Sequence, residues 1–467
     1  MLSSLSYKTQ KGVSSYQNSL ITSFEELVYF TGVVKLASKS FINNTALVSV
    51  NTHNIRNIAD SVFYGCLSLT SIDLSHAITI GNWAFQSVPL SGQVYAPNLE
   101  QIGSGAFMET NITEIAGLGN ITILPYVNAA PNGRNWGNYG VFYYCKELRR
   151  AVLPDSLTDI QTNSFIGCIN LIDLVLPKSI VKIGMSAFYQ CPLDGLEIDL
   201  PNLEKIDAAA FYKTNIKRII NLGKVTTIGG SWTSITDGWA SYGAFRYCKE
   251  LVSATMPDSL TTLQEGAFHG CDKLEIINIP SNVTTIGRYA FYGDGKLKYT
   301  NENAFLNVTS IGEAAFFKTG FDGQDLRFPN CAGNIVAFSF GYCKCRSLYL
   351  GKVSSVSGDW GNDYNPLHKM PNLEYAIFGD SLTSFGQNNF IDCNQLNTLI
   401  FLSITPPSLG GSIYSTSNNG FSIYVPDDSI PSYQTATNWS RYAGLIRGIS
   451  QIPTDNPVLY EEIKNYL

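Results

Sequence analysis

The sequence predicts an α/β-type repeat solenoid, a stack of about 15 coils of 22–25 residues made mostly of short strands and turns, with short helical or 3-10 segments and a cap at each end. Three observations predict it. Phe recurs at 41, 63, 85, 107, 142, 165, 188, 211, 245, 268, 291, 316, 340 and 390, with Leu367 filling the one gap. Other residues hold register around it: aliphatics at −8 and −5, Ala or Ser at −1, Cys at +3, Leu at +6, aliphatics at +9 and +11, and often Pro at +12. Finally, 45% of the 467 residues are apolar and 15% charged, so the chain can bury a long core.

Each element follows from this pattern. Residues 1–31 form a lead-in and cap, in which "SFEELVYFTGV" (23–33) offers Ser23 and Glu26 as a capping box and Leu27 and Phe30 as an apolar side. Residues 32–400 are the solenoid. Its +9/+11 alternation ending in Pro reads as a short strand with one buried face, and the spacing of 3 to 4 around Phe reads as a helical or 3-10 turn. One such unit cannot bury its apolar face alone, whereas stacked copies at a strand spacing of ~4.8 Å make a continuous core roughly 70 Å long. Long Phe-to-Phe steps mark insertions near 120–141, 224–244 and 352–366. A longer period overlies the first: "VFYYCKELRRAVLPDSLTDI" returns as "AFRYCKELVSATMPDSLTTL" 103 residues on, so four coils and one insertion form a duplicated block.

Residues 401–452 are the C-terminal cap and 453–467 a helical tail. Asn456 is placed to cap that helix, Pro457 takes its first position, and Leu459, Ile463 and Leu467 share a face. That face either packs on its own cap or docks on a partner subunit. Assembly with other subunits through residues 1–22 or 456–467 is therefore open.

The repeat resembles that of the BspA-like leucine-rich repeat proteins, of the Treponema pallidum type, whose unit looks like "IGxxAFxxCxxLxxIxLP". Here it is seen as "IGMSAFYQC" at 183–191 and "IGRYAF" at 286–291. The segment "IYVPDDSIPSYQTATNWSRYAGLIRGIS" is similar to the terminal segment of Bacteroidetes members. The resemblance spans roughly residues 22 to 450. It implies a leucine-rich repeat stack acting in adhesion at a bacterial surface. Such repeats also occur in phages of these bacteria, which makes a virion protein with a host-attachment role the second expectation.

Composition narrows the partners. A net charge of −6 and no run of Lys and Arg argue against nucleic acid. No apolar run reaches the eighteen or so residues that span a bilayer, so no membrane insertion is expected. "MLSSLSYKTQKGVSSYQNS" has no signal-peptide core, so the expectation is either a removed leader or export without one.

The sequence offers no catalytic residue, no metal site and no cofactor site. Eight of the ten cysteines (66, 145, 168, 191, 248, 271, 343 and 393) share the +3 position and read as reduced core residues. "CKC" at 343–345 alone makes no zinc site. His53, His76, His269 and His368 read as single, solvated side chains. No nucleophile elbow, phosphate loop or dinucleotide fingerprint is present, and the chain is not expected to be an enzyme.

What stands out is the insertions, each of which pairs Trp with Tyr: Trp136 with Tyr139, Trp239 with Tyr242, and Trp360 with Tyr364. One reading makes them a row of aromatic platforms for a surface protein or a glycan. The other makes them a consequence of duplication, each Trp covering its own coil. The expectation is a non-enzymatic recognition scaffold, with exposed Trp rings as the distinguishing feature.

Overall fold

The computed structural model describes residues 21–127, 138–235, 238–357, 364–414 and 421–464, with the backbone alone for 231–235 and 238–241. The chain divides into two compact units, Met1–Val225 and Thr226–Leu467. Each is a stack of coils with two parallel ladders and a Phe-centred turn between them.

In the first unit the aliphatic at −5 sets one ladder. Lys35–Leu36, Asn57–Ile58, Thr79–Ile80 and Gln101–Ile102 pair in parallel, so that Leu36, Ile58, Ile80 and Ile102 lie opposite one another, each buried. Ile123–Leu124, Asp159–Ile160, Lys182–Ile183 and Lys205–Ile206 do the same. The second ladder carries the +9 residues: Asn111–Gly117, Arg150–Val152 and Asp173–Val175 pair in parallel. Its two-residue period buries Ala151 and Leu174 and turns Arg150 and Asp173 outward, where Arg150 lies 3.8 Å from Glu114 and 3.4 Å from Asp173.

The second unit repeats the scheme. One ladder is Thr227–Ile228, Thr262–Leu263, Thr285–Ile286 and Ser310–Ile311, and the other is Ser253–Thr255, Ile276–Asn278 and Lys298–Tyr299. Towards its end the strands lengthen. Asp325–Ile335 pairs with Ser347–Val356, followed in parallel by Tyr375–Phe378, Thr398–Phe401, Ser422–Val425 and Ile446–Gly448.

The turns around Phe are not helical, contrary to the spacing argument. Residues at −2 and +2 have positive φ, as at Ser61 (56°) and Gly65 (72°) beside Phe63, or Asn163 (58°) and Gly167 (73°) beside Phe165. Such residues break the helical bond pattern. Alternate amides then point along the stack: Ser61, Phe63 and Gly65 N–H donate to the carbonyls of Asn82, Ala84 and Gln86 one coil on. The Phe rings follow, stacking from Phe41 to Phe211 with centroids 5.2–5.7 Å apart and planes within 18°. From Phe245 to Phe340 the spacing is 5.2–5.9 Å.

All ten cysteines are buried and none is in a disulfide. At +3 the thiol donates to the Phe carbonyl of the preceding coil: Cys66 to Phe41 (3.1 Å), Cys168 to Phe142 (3.2 Å), Cys191 to Phe165 (3.1 Å) and Cys271 to Phe245 (3.2 Å). The reduced-core reading therefore has a physical basis, since at this position the thiol gives a buried carbonyl a second donor beside a backbone N–H.

At the start of the described chain the capping box does not form. Ser23 and Phe24 pair as strand with Ser49 and Val50, and Phe24 occupies the N-cap of a 3-10 turn, Glu25–Tyr29, without a side-chain cap bond. Leu27 is buried as expected, but Phe30 is 52% exposed. At the other end the helix Pro457–Ile463 has Asn456 as its cap, accepting from Leu459 N–H at 3.0 Å. Leu459 and Ile463 pack on Tyr375, Ile377, Ile400 and Tyr424, so this apolar face is covered by the chain itself. Leu467 lies outside the described residues.

Candidate binding surface

The turn that buries Phe points its neighbours outward, and in the second unit many of them are aromatic. Tyr247 meets His269 (5.1 Å between ring centroids), which meets Tyr292 (4.7 Å), which meets Phe317 (5.0 Å). Phe317 then meets Phe338 (5.1 Å) and Tyr342 (5.3 Å). Small residues make room for the row: a Cβ on Gly270 would sit 2.5 Å from the Tyr247 ring. Cations lie over the rings, with Arg246 4.7 Å from Tyr247, Arg288 5.5 Å from Tyr289, and Lys318 5.3 Å from both Phe317 and Tyr342. The result is a half-buried aromatic flank with cations over its rings; of these, Arg288 is paired with Glu313 at 2.8 Å.

Two histidines belong to this flank, which corrects the expectation that both are solvated. His368 is fully buried, with Nδ1 against the Asn365 carbonyl and its ring 5.2 Å from Tyr342. His269 is half-buried, and burial, reinforced by the Arg246 guanidinium, pushes its imidazole down to about 3. The reason is local: the position after Phe faces aromatic neighbours from adjoining coils.

The tyrosines of the insertions share one position, three before Phe142, Phe245 and Leu367, but differ in exposure. Tyr364 is 51% exposed, and its ring lies 5.0 Å from Phe338, at the end of the flank. Tyr242 is 1% exposed. In the first unit Tyr139 is half-buried and meets Tyr143 (5.5 Å), which meets Tyr144 (4.8 Å) beneath Lys146. Trp136 and Trp360 lie outside the described residues, as does the Trp239 side chain.

Two of the three insertions have strand stems where sequence reading saw loops. Tyr126–Val127 pairs antiparallel with Tyr139–Gly140, and Gly230–Ile235 with Gly238–Gly243. The glycines closing "NYG" and "SYG" are fixed by close approach, because a Cβ on Gly140 would lie 2.4 Å from the Asn163 carbonyl and one on Gly243 1.8 Å from that of Gly266. Part of the recurrence of these loops is therefore imposed by the neighbouring coil.

The ladders also expose apolar side chains, including Val175 (44%) in the first unit and Ile276 (50%) in the second. Sequence reading missed two assemblies, the flank and a pairing of His53 with His76 across one coil. Both become visible when residues are indexed by coil position.

A comparison with curated proteins returns no match. Among solved structures the chain is similar to a leucine-rich repeat protein from Bacteroides ovatus, with 19% identity, 79% of this chain and 76% of that chain covered, and a TM-score of 0.45. It is also similar to a leucine rich cell surface protein from Faecalibacterium prausnitzii (18% identity, 79% and 83% covered, TM-score 0.35). A third is the leucine rich repeat protein of T. pallidum (21% identity, 52% and 78% covered, TM-score 0.27). The model of the BspA type leucine rich repeat region matches residues 12–127, 138–236, 240–360 and 362–436, most of the sequence. The chain belongs to the BspA-type leucine-rich repeat family.

Proposed function

We propose that this chain is a non-enzymatic recognition scaffold at a bacterial surface, binding a surface protein or a glycan through its aromatic flank and insertion loops. The observation that carries this reading is the row of rings from Tyr247 to Tyr342, edged by Arg246, Arg288 and Lys318 and met at one end by exposed Tyr364. Rings with a polar or charged rim suit sugar faces and protein side chains, and aromatic and Arg residues are the usual anchors of such contacts. Trp136, Trp239 and Trp360 offer the same chemistry in the sequence, each three or four residues before Tyr139, Tyr242 or Tyr364. Membership of a repeat family built for stacking, together with the absence of any nucleotide or nucleophile motif in the sequence, supports binding over catalysis. Among the described residues no helix is long and apolar enough to cross a membrane.

The test is a glycan-array and surface-protein screen. It compares the wild type, the Trp136→Ala/Trp239→Ala/Trp360→Ala variant, and Tyr364→Ala combined with Lys318→Ala. Loss of at least about tenfold in affinity for a hit in either variant supports the reading, since one anchor residue is worth more than 1 kcal/mol. Equal binding by all three proteins removes both the loops and the flank.

A further inference from the structure

We infer that His53, Asp73 and His76 form a binding site for a divalent transition metal, zinc being the fitting ion. The two histidines lie on consecutive coils, His53 two residues before the buried Ile55 and His76 one residue before the buried Ala77. The stack brings their rings to 4.4 Å between centroids, edge to face. Asp73 reaches the same spot, with Oδ2 3.3 Å from His53 Nδ1. One ligand atom from each of the three residues lies within 4.8 Å of the other two. A zinc ion with bonds of about 2.0–2.2 Å holds its ligand atoms roughly 3–3.5 Å apart, so small side-chain rotations close the site.

The donors are also held in place. Ser75 N–H and its hydroxyl donate to Asp73 Oδ1 at 2.9 and 2.6 Å, which leaves Oδ2 facing His53. The Ser75 hydroxyl lies 3.1 Å from His76 Nδ1, a partner that orients a ligating ring. Thr52 ties its hydroxyl to the Asp73 carbonyl, locking the two coils together at this corner. An ordinary ion pair accounts for His53 and Asp73 but gives no reason for a second imidazole against the first. Two imidazoles and one carboxylate are donors for zinc, copper or nickel, whereas magnesium and calcium take oxygen sets. All three residues are exposed, so a bound ion keeps positions open to water or to a donor from a docked molecule.

Titration of metal-free, thiol-reduced full-length protein with zinc chloride by calorimetry tests this. The expected result is saturation at one equivalent, a loss of about tenfold or more in affinity for His53→Ala, His76→Ala and Asp73→Asn, and abolition in the double histidine variant. Asp155→Asn, which removes an exposed carboxylate elsewhere on the surface, serves as a control and keeps wild-type binding. These are surface side chains, so unchanged circular dichroism shows the variants to be folded. Absence of binding at millimolar zinc overturns the proposal. So does unchanged stoichiometry in the double variant, which would place the ion on other groups such as the cysteines.

Discussion

At the residue scale the cysteine position shows how one slot serves many coils. Here Cys adds a weak second donor to the preceding Phe carbonyl, which already accepts a backbone N–H of its own coil. Thr110, Thr214 and Thr319 fill the same slot but donate to the Phe carbonyl of their own coil, at 2.9, 3.0 and 2.7 Å. Burial pushes the thiols of Cys66, Cys331 and Cys393 up to about 12, so at pH 8 the reactive thiolate is scarce. All ten thiols are closed off from solvent, so Ellman's reagent should find no fast-reacting thiol in the native protein and ten in denaturant, and a stoichiometric native burst would contradict the buried ladder. Asp294 is the exception in this slot. It is buried, its Oδ1 accepts from Cys271 N–H at 2.8 Å, and its Oδ2 has no partner. Burial raises its carboxyl well above the ordinary range. Folding then takes up a proton, so this group's contribution is full below about pH 4 and is lost as pH rises toward the folded value. Asp294→Asn keeps the accepting oxygen and adds an N–H, as Asn44 does in its own coil, where Nδ2 donates to the Ile21 carbonyl. Urea denaturation should show the variant more stable by about 1–3 kcal/mol at pH 7, with the gain shrinking toward pH 4. A gain independent of pH would refute the charge argument.

At the element scale, what the sequence disclosed depended on whether a local rule or a neighbour set the structure. The last helix was legible because Asn456 and Pro457 are local signals and Leu459 and Ile463 a helical pair, and all four act as expected. The turns at Phe were misread as helical because spacing of 3 to 4 residues also fits a turn whose amides bond to the next coil, a partner no single repeat reveals. The capping box failed for the same reason, since strand pairing to Ser49 claims Ser23. The terminal helix is further clamped by Arg346, whose guanidinium bonds Glu462 at 3.0 Å and Asp325 at 2.8 Å. Asn456→Ala should cost about 1 kcal/mol by loss of the cap. Ile463→Ala should cost about 2–5 kcal/mol by opening a cavity against Tyr375 and Ile400. Denaturant titration followed by tyrosine fluorescence measures both. Equal, negligible losses would mean that the helix is not docked.

At the scale of the whole molecule the fold was legible because one register of Phe, Cys and aliphatics recurs with few exceptions, and stacking is the one arrangement that buries every copy. The candidate surfaces were far less so. His53 and His76 look scattered along the chain, and so do Tyr247, Tyr292 and Phe317, until the coil turns sequence separations of about two dozen residues into side-chain contact. The same geometry makes stability a sum of nearest-neighbour terms. Phe188 stacks on Phe165 at 5.3 Å and on Phe211 at 5.2 Å, so Phe188→Ala removes two ring contacts and should cost about 3–5 kcal/mol. In a core with a single centre that loss would be shared by every element. In a stack it should remain in the coils that touch the gap, because each coil contacts only its neighbours. Hydrogen exchange followed by mass spectrometry should show lost protection in the peptides around Asp159–Ile160, Lys182–Ile183 and Lys205–Ile206. Protection around Thr79–Ile80 and in the helix Pro457–Ile463 should stay at wild-type levels. Uniform loss across all of these segments would rule out nearest-neighbour stability and require cooperativity that the ladder contacts do not supply.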